Sequence, residues 1–250
     1  MRPIITLLTD FGTVDGYVGE MKGVLLSGAP DAEVVDITHD IPPQDVERAR
    51  LTVARVWRRF PTGTIHIVVV DPGVGSSRAA LAVASEGHFL LGPDNGVLSP
   101  ALLGGSTRAV ALSIGEHAST SFHGRDVFAP AAVALARGQA IDGLGTEARA
   151  PMIRRTPEPI RRVDGAIDGE VIIIDHFGNA VTNLVGMRGG VVEVGSASIA
   201  VRRTYAEVGE GELVAIVGST GFIEIAVRDG DAARLLGLTR GAGVTLKTSR

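Results

Sequence analysis

Two textures of hydrophobic patterning divide the chain. In the first, unbroken apolar runs alternate with runs of helical spacing. Residues 3–9 (PIITLLT) are continuously apolar and stop at Asp10, with Gly12 just beyond, which predicts a buried strand. Residues 16–28 (GYVGEMKGVLLSG) repeat apolar positions at helical spacing and end at Gly28. AEVVDIT (32–38) predicts a second strand and DIPPQD (40–45) a loop. Asp45 can cap a helix from Val46 to about Arg59, with Leu51, Val53, Val56 and Trp57 turned inward. TIHIVVV (64–70) predicts a third strand, and AALAVASE and HFLLGP (within 79–93) two more around a turn at Glu86-Gly87. DVFAPAAVALAR (126–137) predicts a helix begun near Asp126. Strands alternating with helices predict a three-layer α/β domain built on a mostly parallel sheet.

The second texture begins near residue 150. PMIRRTPEPIRRVDG carries three prolines and four arginines and has the character of a linker. From residue 169 short apolar segments recur at roughly ten-residue spacing with glycines between them: EVIIID, AVTNL, VVEVG, ASIAVRR, LVAIVG, FIEIAV and GVTLK. That rhythm predicts a small antiparallel β-barrel. The expected organisation is an α/β domain over 1–155, a linker over 156–168 and a β-barrel domain over 169–250.

Composition narrows the function. The net charge of −4 makes nucleic acid and anionic membranes poor partners. There are no cysteines, which removes disulfides, thiolate metal sites and thiol nucleophiles together and fits a cytoplasmic location. No apolar run approaches the roughly 20 residues that span a bilayer. Glycine is abundant (33) and aromatics are scarce (4%), which suits tight turns and ligand contacts made by backbone.

Ligands of parallel sheets bind beyond the C-terminal ends of the strands. Two carboxylates stand at such ends: Asp10 after IITLLT and Asp71 after IHIVVV. One such Asp is often only a turn former. Two in one domain, each followed within two residues by Gly, point to a site. DFG at 10–12 also matches the kinase magnesium motif, but no glycine-rich loop or HRD segment accompanies it. In FHGRD (122–126), His123 lies in a polar loop just before a helix. His39-Asp40 could begin a metal site, but no further ligand falls at suitable spacing, so no metal is expected. In IDHFGNAVTNL (174–184), Asp175, His176, Asn179 and Asn183 crowd a strand–turn–strand. A hairpin accounts for Gly178-Asn179 but not for Asp-His-Phe at the strand end. VGSTGFIEIAV (217–227) by itself is an ordinary hairpin.

Six segments occur in an order that resembles the S-adenosyl-L-methionine hydroxide adenosyltransferases, relatives of the nucleophilic fluorinase and chlorinase. They are TDFG (9–12), VVVDPGVGSSR (68–78), GPDNG (92–96), FHGRD (122–126), DHFGNAVTN (175–183) and GSTGFIEIAV (218–227). The resemblance implies an α/β domain, a β-barrel and a homotrimer with active sites at subunit interfaces. The implied reaction is hydrolysis of S-adenosylmethionine to adenosine and methionine, with no cofactor. By position, Asp71, Arg78 and His123 match the triad assigned to the attacking water, and Asp10 the carboxylate that holds the ribose hydroxyls. Phe11 and Glu224 join the substrate-binding candidates. Asp175 matches the partner of the methionine ammonium, Asn179 an adenine contact and Ser219 a backbone contact to the amino-acid end. Phe177 and Phe222 are candidate walls for the base. In the halogenating branch an aromatic residue stands at position 71 and a serine at 124, where this chain has Asp71 and Gly124. Thr220 and Val181 replace an arginine and a tryptophan of the halogenases. A fixed carboxylate repels halide and accepts a hydrogen bond from water, which favours hydrolysis. Which triad member takes the proton stays open; the expectation is that Asp71 and Arg78 orient water and His123 relays the proton. The competing expectations are a binder of adenosine or S-adenosylmethionine without turnover and, more remotely, a halide-using synthase.

Overall fold

The computed structural model describes residues 2–186 and 189–247, so 187–188 and 248–250 of the expected barrel domain lie outside the described residues. The chain divides into two compact units, one ending at Arg155 and the other starting at Thr156.

The first unit contains β1 (Ile4–Thr9), α1 (Tyr17–Gly28), β2 (Glu33–Thr38), α2 (Val46–Val56), β3 (Ile65–Val69), β4 (Ala80–Ser85) and β5 (His88–Pro93). There follow the four-residue α3 (Ser99–Leu102), β6 (Thr107–Leu112), α4 (Ala129–Ala136) and β7 (Gly145–Glu147). The seven strands form one sheet in the order β2-β1-β3-β5-β4-β6-β7. β2, β1, β3 and β5 are parallel, whereas β4, β6 and β7 join by antiparallel pairing. The sheet is therefore mixed, with a parallel half that carries the strand-end aspartates. Leu7, Ile67 and Val69 pack with α1 and α4 on one face. Leu8, Val68 and Val70 pack with α2 and α3 on the other. Strands buried on both faces explain the unbroken apolar runs of β1 and β3.

Helix α2 is capped as expected, the Asp45 carboxylate accepting from the Arg48 N–H at 2.9 Å. Its inward face differs in part. Val46, Ala49, Val53 and Trp57 are buried, while Leu51 and Val56 are only half-buried. Arg50 is also buried, its charge paired with Glu47. The segment near Asp126 departs from a simple helix: Gly124–Phe128 is a single π-helical turn that precedes α4. Such turns shift the register of a helix and favour functional sites. β6 and β7 are not among the expected strands: β6 opens on the exposed Thr107 and Arg108, and β7 has only three residues.

The second unit contains β8 (Ile160–Arg161), β9 (Ile167–Ile174), β10 (Ala180–Val185), β11 (Val191–Val194), β12 (Ala197–Arg202), β13 (Leu213–Val217), β14 (Phe222–Val227), the short α5 (Ala232–Leu236) and β15 (Gly243–Lys247). β8 and the first residues of β9 fall in the stretch expected to be linker and pair with each other. The strand order β10-β14-β13-β12-β11-β15-β9 is closed by the β9–β10 pairing into a seven-stranded barrel. One pairing differs from the antiparallel expectation: β12 and β13 run parallel, with Val201 opposite Ala215. The intervening segment 203–212 returns the chain to the same end of the barrel, which a tight hairpin could not do. The barrel interior is filled by Val171, Leu184, Val192, Ile223, Ile225 and Leu246, among others.

Candidate active site

The connections of the parallel sheet diverge between β1 and β3. From β1 the chain leaves by α1 toward β2; from β3 it turns the other way, toward β4 and β5. A crevice opens where neighbouring strands part company in this manner. Thr9 lies opposite Val69, so Asp10 and Asp71 stand at adjacent strand ends above it.

The turn after β3 closes on itself. Val74 N–H donates to the Asp71 carbonyl at 3.2 Å, and Ser76 N–H to that of Gly73 at 3.1 Å. Gly75 has φ +78°, and a Cβ there would lie 2.5 Å from the Thr120 carbonyl oxygen, so only glycine fits. The turn delivers Arg78 back onto Asp71 as a bidentate pair: Nε donates to Oδ1 at 3.0 Å, and Nη2 donates to Oδ2. Nη2 also donates to Nδ1 of His123 at 2.8 Å, and Nη1 to the Ala79 carbonyl at 3.2 Å. The three residues expected to share a water are thus in direct contact.

Their protonation follows from the donors. A guanidinium has five N–H groups and no acceptor, so His123 Nδ1 must accept, and the neutral ring carries its hydrogen on Nε2. Burial first, and then the neighbouring Arg78 charge, hold the His123 imidazole below its ordinary value. Both causes disfavour imidazolium. A relay through Nδ1 is closed while Arg78 stays in place. Each Asp71 oxygen accepts one bond from Arg78 and keeps a lone pair for water. Both side chains are nearly enclosed, Asp71 at 5% and Arg78 at 10% exposure.

Asp10 is held from the α2 side. Its Oδ2 accepts the Gln44 N–H at 2.7 Å, and Gln44 takes φ +66° to present that group. A non-glycine residue in this region costs roughly 1–3 kcal/mol and tends to occur at functional sites. Phe11 packs edge-on against Tyr17 and Phe122, with centroids at 6.0 and 5.8 Å. Its N–H reaches Thr9 Oγ1 at 3.2 Å, and that hydroxyl meets His39 Nδ1 at 2.8 Å. His39 thus supports the Asp10 loop, and among the described residues no group of His, Asp and Glu converges to hold a metal. Gly124 is wedged into the same aromatic cluster. A Cβ there would meet Met21 Sδ at 3.1 Å, Phe122 at 3.2 Å and Phe11 at 3.4 Å.

In the barrel unit, Asp175 opens the turn between β9 and β10. Its Oδ1 accepts the N–H groups of Phe177 and Asn179, both at 2.9 Å, and its Oδ2 accepts Asn179 Nδ2 at 3.0 Å. Asn179 is buried and Phe177 is 72% exposed. Asn183 serves the fold: it accepts from Glu170 N–H at 2.7 Å and donates to the Pro157 carbonyl at 2.8 Å. Ser219 and Thr220 occupy the exposed turn before β14, and Glu224 folds over Gly218. β10 and β14 are antiparallel, with Val181 opposite Glu224 and Val185 opposite Phe222. The Asp175–Asn179 turn and the Ser219–Phe222 turn therefore sit at opposite ends of β10, with Glu224 between them. Phe177 and Phe222 are not brought together within this unit. Tyr205 was not legible in the sequence, lying in a polar loop without a motif. Burial raises its phenol above the ordinary value, and the charges of Glu224 and Asp175 add to the effect.

Comparisons with known proteins place the chain in a family. Residues 5–145 match the N-terminal domain of the SAM hydroxide adenosyltransferases and residues 169–245 their C-terminal domain. An (R)-S-adenosyl-L-methionine hydrolase from Thermus thermophilus is 42% identical, covering 98% of this chain and 100% of the relative. A fluorinase from Actinopolyspora mzabensis is more distant, at 27% identity over 99% of this chain and 98% of its own length. The crystal structure of an uncharacterized conserved protein from Thermotoga maritima superposes with a TM-score of 0.88 at 34% identity, covering 97% of this chain and 99% of that one. With both domains matched in order and a relative aligned over its full length, the chain belongs to the SAM hydroxide adenosyltransferase family.

Proposed function

We propose that this chain hydrolyses S-adenosyl-L-methionine to adenosine and L-methionine. The observation that carries the reading is the Asp71–Arg78–His123 cluster beyond the end of β3, where the connections of β1 and β3 diverge. A water oxygen bonds to the ribose 5′ carbon. The carbon–sulfur bond breaks with its electron pair going to sulfur, and methionine leaves as a neutral thioether. The attacking water becomes a protonated alcohol, which is strongly acidic. A weak base therefore suffices, and Asp71 can take the proton on a lone pair not used by Arg78. Arg78 fixes the carboxylate, and neutral His123 holds Arg78 in place and keeps Nε2–H for the water or product hydroxyl. Alignment opposite the sulfur supplies roughly 7–11 kcal/mol in favourable cases, and proton removal about 10²–10⁴-fold more. Asp10 holds the ribose hydroxyls, Phe11 packs against the nucleoside, and Asp175, Phe177, Asn179, Ser219, Phe222 and Glu224 serve the substrate from the barrel unit. The reaction as written uses no metal or cofactor. It takes place in the cytoplasm, in a homotrimer whose active sites lie at subunit interfaces.

Incubation with substrate in oxygen-18-labelled water tests this: adenosine should carry the label at its 5′ oxygen. Nucleoside retained without turnover would favour a binding protein. The relatives' names specify (R)-S-adenosyl-L-methionine, and assaying the two sulfonium forms separately tests whether that preference holds here. Halide use is disfavoured by the Asp71 carboxylate and by the crowding at Gly124.

A further inference from the structure

The GPDNG segment (92–96) lies behind the catalytic turn and touches both of its lips. Asn95 Nδ2 donates to the Val70 carbonyl at 2.9 Å, one residue before Asp71. Asp94 N–H donates to the Ala79 carbonyl at 2.9 Å, one residue after Arg78. That carbonyl also receives Arg78 Nη1. The Asn95 carboxamide is itself oriented, its Oδ1 accepting the Val97 N–H at 3.1 Å. The segment begins on the last residues of β5, where Gly92 lets the strand lie close to β3: a Cβ there would fall 2.5 Å from the Val68 carbonyl oxygen. From the other side the segment 152–154 clamps it. Met152 N–H donates to Asp94 Oδ1 at 2.7 Å, Arg154 Nε to the Asn95 carbonyl at 2.8 Å, and Arg154 N–H to Ser99 Oγ at 2.8 Å.

We propose that Asn95 is a positioning residue for the Asp71–Arg78 pair: with the neighbouring Asp94 N–H it forms a cross-brace that sets the spacing between the two lips of the turn. The turn between them spans Pro72–Ser77, contains two glycines and places Ser76 and Ser77 in the open. Its own hydrogen bonds are short-range and define local bends; β5 spaces β3 from β4 up to the Ile67–Leu91 and Ala80–Pro93 pairs, and beyond those pairs the Asn95 and Asp94 bonds carry the spacing on to Val70 and Ala79. The inference rests on the reading that this pair aligns water. It assigns Asn95 no contact with substrate.

Asn95→Asp keeps the acceptor for Val97 and loses the donor to Val70; Asn95→Ala loses both. Ser99→Ala is the control, because Ser99 ties the loop to Gly96 and Arg154 without touching Val70 or Ala79. Three readouts are taken: kcat and KM with S-adenosylmethionine, thermal midpoint, and the imidazole nitrogen resonances of His123. Both Asn95 variants should lose about 10–100-fold in kcat with KM changed less than about threefold, as for a misplaced reacting group. His123 should lose its pure Nε2–H signature as Arg78 moves away from Nδ1. Ser99→Ala should lower the midpoint and spare kcat. The proposal is overturned if both Asn95 variants keep kcat and the His123 signature, or if Ser99→Ala lowers kcat as much as they do. Should the wild-type protein yield no adenosine, the hydrolase reading fails, and the His123 resonances alone decide the brace.

Discussion

Strand β3, which delivers Asp71, carries a buried imidazole whose cost can be worked out. His66 is fully buried, its Nδ1 at 2.8 Å from Thr6 Oγ1. Its ring lies 5.6 Å from that of His88 and 5.5 Å from Phe60. Burial, and secondarily the His88 charge, push His66 from 6.5 down to about 3. The folded unit therefore refuses a proton that the unfolded chain accepts below 6.5. Stability is complete above that value and is lost as the pH falls toward 3. At ~1.4 kcal/mol per pH unit, His66 alone removes about 2 kcal/mol by a pH of about 5. Its ceiling near pH 3 is on the order of 5 kcal/mol, a large part of a domain's stability. The perturbation is His66→Asn, which retains a hydrogen-bonding partner for Thr6 and does not titrate. The assay is denaturant unfolding at several pH values, followed by the fluorescence of Trp57, the chain's single tryptophan, which packs 5.4 Å from His88. The variant should be less stable near neutral pH because it leaves a void. Between about pH 6.5 and 5 its stability should fall less steeply than the wild type's, by about 1.4 kcal/mol per pH unit. Equal slopes in the two proteins would refute the reasoning.

Arg78→Met should slow single-turnover cleavage by about 10²–10³-fold and lower stability by roughly 3 kcal/mol, because Asp71 is left enclosed without its partner; chemical denaturation and rapid quench measure the two effects. His123→Ala should slow the same step at least about tenfold, and His123→Asn less, since a carbonyl can still accept from Arg78; an unchanged rate in the Ala variant would remove His123 from the chemistry. Because burial and then Arg78 keep His123 neutral below its ordinary 6.5, kcat/KM should stay level as the pH falls to about 6.5 and drop only in more acid solution; a loss already complete at neutral pH would contradict the assignment. Gly124→Ser should cost about 1 kcal/mol in a thermal melt through contact with Met21 and Phe122, and chromatography in high chloride should find no chlorinated nucleoside, because Asp71 still repels the anion.

Much of this was legible from residue order alone, and the reason is local. Apolar continuity in PIITLLT and TIHIVVV reports burial on both faces, so the strands and the aspartates that end them could be placed without a structure. The ten-residue rhythm after residue 169 likewise announced a closed barrel. What periodicity does not carry is the choice of partner. Whether His123 meets Arg78 through Nδ1 depends on two loops 45 residues apart arriving at one point, and the contact decides the tautomer. The Gln44 N–H on Asp10 comes from a loop with no motif, held in a conformation that sequence pattern does not report. The charges of Asp175 and Glu224 act on the Tyr205 phenol only because the barrel gathers segments distant in the chain. The parallel β12–β13 pair, the π turn at Gly124 and the separation of Phe177 from Phe222 are equally consequences of packing. Local burial is written residue by residue, whereas hydrogen-bond partners are selected by the whole fold.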